Sequence, residues 1–143
     1  MIPSVAVVEG PLDAAALRDA VRDPRAGAVV VFEGCARDHH EGRTVSELAY
    51  EAYGPMAEAQ LAQLREEALA QFGLWACLIN HRVGVVPLME AAVVVVTAAS
   101  HRREAFEAAA WIMDRIKERV PIWKRERYPD AVDTWVEGEQ RHV

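Results

Sequence analysis

Apolar residues recur along this chain in two rhythms, and each predicts an element. Between Pro55 and Phe72 the residues Ala57, Leu61, Leu64, Ala68 and Phe72 form a stripe at helical spacing, with Glu58, Arg65, Glu66 and Glu67 left to solvent and Gly73 placed as C-cap. Ser100 to Val120 reads likewise: Ser100 caps the first turn, Phe106, Ala109, Ala110, Met113, Ile116 and Val120 form the apolar face, and Pro121 ends the run. A shorter helix is predicted from about Pro11 to Arg22, closed by Asp23-Pro24. Residues 28–34 (AVVVFEG) and 91–99 (AAVVVVTAA) are continuous apolar runs, which predict strands covered on both faces. Thr44 to Tyr53 alternates as a strand with one wet face, and residues 74–83 (LWACLINHRV) as another, followed by a turn or short crossover through Pro87. After Pro121 the chain is predicted extended or irregular, with Lys124 and Glu126 on one side and Arg125 on the other, before a short last strand at Trp135-Val136. No repeat, low-complexity segment or linker interrupts the pattern, so residues 1–143 read as a single α+β domain with about three helices.

The helix after Ser100 carries two features that plain structure does not require. The positive end of a helix dipole favours acidic side chains, yet His101, Arg102 and Arg103 stand there. Free backbone N–H groups, two guanidiniums and an imidazole suit a phosphate or carboxylate; the alternative is that both arginines splay into solvent. Further along, Lys117 falls on the side of Phe106, Ala110 and Met113, within the predicted apolar stripe. The chain has two lysines, Lys117 and Lys124, against fourteen arginines, so lysine is not its default surface cation. A desolvated lysine can lose its proton and serve as base or amine nucleophile, which arginine does not do. Against that stands a side chain snorkelling from the edge of the stripe.

Composition narrows the partners. A chain of 143 residues with 52% hydrophobic and 27% charged residues can bury a real core, and its longest apolar run is too short to span a bilayer. With no signal-like segment, the expected location is the cytoplasm. The net charge of −6 argues against a general nucleic-acid or membrane binder. Basic groups nevertheless gather in Arg37 to Arg43 and His101 to Arg127, which suits a small anion or an acidic peptide tail. The polar stretch CARDHHEGR, residues 35–43, follows a predicted buried strand and is a candidate binding loop, with Arg37 as its leading residue. Adjacent His39 and His40 point to opposite sides of an extended chain and do not chelate one metal. Cys35 and Cys77 lack metal or disulfide spacing, and no Ser/His/Asp or paired-carboxylate pattern suggests a hydrolase.

The segments GAVVVFEGCARDHHEGR, YEAYGPMAE, HRVG, SHRREAFEAAAWIMDRIKERVPIWKRE and TWVEG, in this order and spacing, resemble the large, catalytic subunit of molybdopterin synthase, the MoaE family, over nearly the whole chain. The resemblance implies an α/β-hammerhead type of fold with a mixed sheet. It implies a sulfurtransferase of molybdenum cofactor biosynthesis acting on cyclic pyranopterin monophosphate to form the dithiolene of molybdopterin. The sulfur would arrive as a thiocarboxylate on the C-terminal Gly-Gly of a small ubiquitin-like subunit, in a heterotetramer built on a homodimer of the large subunit. No bound cofactor is implied. Position by position, Arg37 matches the family's loop arginine, His101 and Arg102 its anion-binding pair, Lys117 and Lys124 its active-site lysines, and Arg125 with Glu126 the rest of the WKRE motif. The family's late arginine after the WV pair is missing: Gly138 and Glu139 follow here, with Arg141 beyond. The rival expectation is a non-catalytic module that binds an anion or a ubiquitin-like protein.

Overall fold

The computed structural model describes residues 2–129 and 135–137. The main sheet begins with β1 (Val5–Glu9); α1 (Ala14–Ala20) leads to β2 (Ala28–Cys35), the small hairpin β3 (His39–His40) and β4 (Arg43–Thr44), and β5 (Glu47–Ala52). Then come α2 (Gly54–Phe72), β6 (Ala76–Val86), β7 (Ala91–Ala99), α3 (Arg102–Arg119), β8 (Ile122–Arg127) and β9 (Trp135–Glu137). The strands run β2-β7-β6-β5-β8-β9, all antiparallel, with β1 added parallel to β6, so the sheet is mixed as expected. No helix among the described residues is long and apolar enough to cross a membrane.

Strand β7 holds the centre. All nine of its residues are buried, because β2 and β6 flank it, α3 packs on one face and α1 on the other. The matching expectation for β2 fails: it is an edge strand, and the seven-residue α1 reaches Val29 but leaves Val31 and Glu33 exposed. An apolar β-branched run signals a strand; whether its outer face is covered depends on helices elsewhere. Strand β6 is longer than predicted because it turns a corner. Residues 76–81 pair with β7, and residues 84–86 cross to β5. Gly84, at φ 85°, sits at the change of partner in a conformation that favours glycine.

The helices show where periodicity holds and where it slips. Helix α2 buries Ala57, Leu61, Leu64 and Ala68 as predicted, and Gly73 closes it in the left-handed region at φ 62°. Helix α1 starts later than expected, because Asp13 is its cap and accepts from the Ala16 N–H at 3.0 Å. Helix α3 is rotated relative to the predicted stripe: Ala105, Ala108, Ala109, Ile112, Met113 and Ile116 are buried, whereas Phe106 is 62% exposed and Ala110 lies outside. Small residues face the sheet because they permit close approach, and the buried Thr97 hydroxyl donates to the Ala105 carbonyl at 2.7 Å. Trp111 packs edge-on against Phe72 of α2, ring centroids 5.9 Å apart, on a layer of this chain itself. Ser100 does not cap α3. Its hydroxyl accepts from the Trp75 indole at 2.9 Å, and the cap residue is His101, which makes no side-chain cap bond.

The Gly27 N–H reaches the Ala99 carbonyl at 3.0 Å, and its Cα lies against the Ser100 carbonyl where α3 is about to begin. A methyl group there meets backbone oxygen that cannot rotate away. Gly27→Ala should therefore destabilise the chain by about 1–3 kcal/mol, read as a lower denaturant midpoint at unchanged m-value; an unchanged midpoint would show that the β2 edge yields freely.

Candidate functional site

Alternation along β8 builds the site. Ile122, Lys124 and Glu126 face inward and are buried, while Trp123, Arg125 and Arg127 face the other way, half-buried. The same alternation continues to Tyr128, also buried. Across the ladder Tyr50 pairs with Lys124 and Leu48 with Glu126, placing buried Tyr50 and Leu48 beside the two charges.

The Lys124 and Glu126 side chains are only 8% and 2% exposed, and Lys124 Nζ stands 3.7 Å from Glu126 Oε1. Burial pushes the Lys124 pKa down; Glu126 opposes the shift, and the charges of Arg37 and Lys117 add to it. Arg37 comes from the exposed loop after β2, and Lys117 from the half-buried last turns of α3. Lys124 and Glu126 thus stand side by side, with Arg37 and Lys117 near enough for their charges to act on Lys124.

Other groups there were not foreseen. His40 Nε2 approaches Glu126 Oε1 at 3.9 Å and Glu41 Oε1 at 3.6 Å. Tyr128 lies against Glu126, and burial together with that carboxylate raises its pKa, while the Arg43 guanidinium stacks 3.7 Å over its ring. Behind the pair, burial first and Glu126 second push the Tyr50 pKa up. Tyr50 meets His81 edge-on at 5.2 Å. His81 is fully buried, its pKa is lowered by desolvation to about 4, and its Nδ1–H donates to the Arg82 carbonyl at 2.8 Å, so it is a neutral core residue at pH 7. Glu126 Oε2 is buried and has no hydrogen-bond partner among the described residues. Tyr128 was legible from the alternation that picked out Lys124 and Glu126; the place of His40 depended on a hairpin with no apolar signature.

Three expected members stand elsewhere. Arg125 faces the opposite side of the sheet, where it pairs with Glu51 at 2.8 Å. His101 and Arg102 are exposed at the start of α3, beside an open groove of about 520 Å³ that Glu104 and Glu107 line along with Arg103 and Phe106. Fifteen residues of helix, about 22 Å at 1.5 Å per residue, separate Arg102 from Lys117. One chain therefore carries two cationic clusters at opposite ends of α3. Arg141 lies outside the described residues. The Cys35 thiol has its pKa raised by burial and by Glu33, which makes it a poor nucleophile.

With two lysines in the chain, reductive ¹³C-methylation yields two ε-amine resonances besides the α-amine. One should titrate below the ordinary lysine range and vanish in Lys124→Arg. In Glu126→Gln it should titrate lower still, because the charge favouring the ammonium is gone. Two ordinary titrations would contradict the buried placement of Lys124.

The family profile described as MoaE protein matches residues 7–119. A molybdopterin synthase catalytic subunit of Pyrococcus abyssi is 49% identical over 117 residues, 82% of this chain and 78% of the relative. One of Oryza sativa subsp. japonica is 47% identical over 131 residues, 92% and 67% of the two chains. Among solved structures, the molybdopterin synthase of Staphylococcus aureus superposes with a TM-score of 0.84 at 34% identity, covering 95% of this chain and 98% of that one. A Helicobacter pylori complex of subunits 1 and 2 of molybdopterin-converting factor shares the fold, with a TM-score of 0.76 at 20% identity over 97% and 92% of the chains. With this match in profile, sequence and fold, the chain belongs to the MoaE family, that of the molybdopterin synthase catalytic subunits.

Proposed function

We propose that this chain is the sulfur-transferring subunit of a cytoplasmic molybdopterin synthase. It would move sulfur from the thiocarboxylated Gly-Gly terminus of a small ubiquitin-like partner to cyclic pyranopterin monophosphate, forming the dithiolene. The observation that carries this reading is the buried Lys124–Glu126 pair, with the charges of Arg37 and Lys117 close enough to act on Lys124. In each transfer the thiocarboxylate sulfur displaces an oxygen of the pterin side chain, which leaves as water once protonated, and a second water then cleaves the acyl–sulfur bond, leaving sulfur on the pterin and the partner's tail as a carboxylate. Both the incoming tail and the phosphorylated substrate are anions, so preorganised cations in a water-poor pocket hold them together and offset charge that develops as bonds change. Burial disfavours the Lys124 ammonium, which suits Lys124 to releasing a proton to the departing oxygen. Lys117, on the adjoining wall, supplies acid/base help or a transient amine, and Glu126 keeps Lys124 in place.

The remaining cations enter through the dimer. His101 and Arg102 lie too far along α3 to touch a substrate held by the lysines of their own chain. In a homodimer they would reach the pocket of the neighbouring subunit and bind the substrate phosphate there. The small partner would then sit at each outer end, as in a heterotetramer.

Two experiments test these statements. With thiocarboxylated partner and cyclic pyranopterin monophosphate, Lys117→Arg and Lys124→Arg keep the charge but lose a readily transferable proton. Each should lower product formation by about 100-fold or more while still folding and binding the partner. Undiminished product would strike that lysine from the mechanism, and no product from the wild type despite tight partner binding would favour a non-catalytic module. For the dimer, Arg102→Ala and Lys117→Arg chains, each inactive alone, should on mixing recover about a quarter of wild-type activity, since half the dimers are mixed and each holds one intact site. No recovery would confine the site to one chain.

A further inference from the structure

Hairpin β3–β4 stands apart from the main sheet and is held unevenly. Its two-residue turn, Glu41 and Gly42, has both φ angles positive, 50° and 79°, the twist that suits a tight hairpin. Its base is fixed by backbone. The Ala36 N–H reaches the Glu90 carbonyl at 2.9 Å, the Met89 N–H reaches the Ala36 carbonyl at 2.7 Å, and the Val45 N–H reaches the Asp38 carbonyl at 2.6 Å, with Ala36 and Val45 both buried. A two-stranded hairpin is at best marginally stable alone. Toward the tip the links to β8 are side chains: Arg43 over the Tyr128 ring, and His40 toward Glu126.

We propose that His40 is a further positioning residue of the pocket, whose imidazole holds Glu126 from the hairpin side and so ties the β3–β4 hairpin, and with it Arg37 at the hairpin's base, to the Lys124 wall. The charged groups at His40 are Glu41 of its own turn and Glu126, with Arg43 paired to it across the hairpin and Lys124 and Tyr128 standing against Glu126. The Nε2 atom is directed at two carboxylates, and its side chain is only 32% exposed. Lys124 approaches the same Oε1 atom, so lysine and histidine hold Glu126 jointly. The kinetic part of this inference rests on the proposed sulfur transfer; the structural part does not.

The test compares His40→Gln, which keeps an N–H donor of similar reach, with His40→Leu, which fills the space without one. In hydrogen exchange followed by mass spectrometry, His40→Leu should speed exchange of residues 38–44 about fivefold and leave β7 and α3 unchanged, while His40→Gln stays within about twofold of wild type. In a Glu126→Gln background, His40→Leu should add little. In the synthase assay His40→Leu should raise KM for the pterin about fivefold and His40→Gln should restore it. Equal exchange in both variants, an undiminished effect without Glu126, or faster exchange with unchanged KM would each overturn the proposal. Should the Glu126 variant fail to fold, the comparison of glutamine with leucine still decides; should the wild type make no product, exchange still reads the tie while the sulfur-transfer reading falls.

Discussion

A carboxylate withdrawn from water costs several kcal/mol unless cations and donors surround it, and Glu126, 2% exposed at the end of β8, makes that demand of everything near it. Lys124 answers from two residues back on the same strand, His40 from the hairpin, and Tyr128 from two residues onward. Lys124 Nζ stands 3.7 Å from Oε1, beyond ordinary hydrogen-bond length, so attraction between charges rather than directed bonding dominates that pair. The consequence passes to Lys124. Its ammonium is disfavoured by burial and by neighbouring cations, and Glu126 keeps the shift from going further. Without that carboxylate, burial and the neighbouring cations would act on Lys124 unopposed.

The fold supplies this arrangement through two rigid features. Gly84 lets β6 change partners, so that β5 and β8 form an extension of the sheet carrying the charged cluster, while β7 stays wrapped in apolar surface. Helix α3 then spans the layer, with its first turn at the Gly27 and Trp75 side and its last turns at the cluster. Its length sets the spacing of the two basic groups, which no side-chain rearrangement can close.

The sequence rendered the periodic elements well because their signals are local. α2 with its glycine cap, the buried β7, and the alternation that put Lys124 opposite Arg125 all follow from spacing alone. It misplaced what depends on distant neighbours. Phe106 reads as core by type, yet the α3 face that fits the sheet is the one with alanines at 105 and 108. Ser100 reads as a cap, but Trp75 claims its hydroxyl. Val31 reads as covered, but α1 is too short to reach it. In the site, Lys117 and Lys124 stood out as the chain's two lysines, though the stripe assigned to Lys117 includes Phe106 and Ala110, which lie outside, whereas His40 gained its place only when a hairpin folded over β8.

The imbalance between lysine and arginine follows from the same division. Arginines serve where a fixed charge and several donors are needed for structure: Arg125 to Glu51 and Arg119 to Glu67, both at 2.8 Å, Arg65 Nε to the Cys77 carbonyl at 2.6 Å, and Arg25 stacked on Trp75 at 3.8 Å. None of these tasks benefits from a proton that can leave. The two lysines of the chain instead stand within electrostatic reach of each other, and Lys124 lies beside Glu126. Their proximity has a further effect. The Lys117 charge adds to the burial that disfavours the Lys124 ammonium, and a nearby anion opposes both.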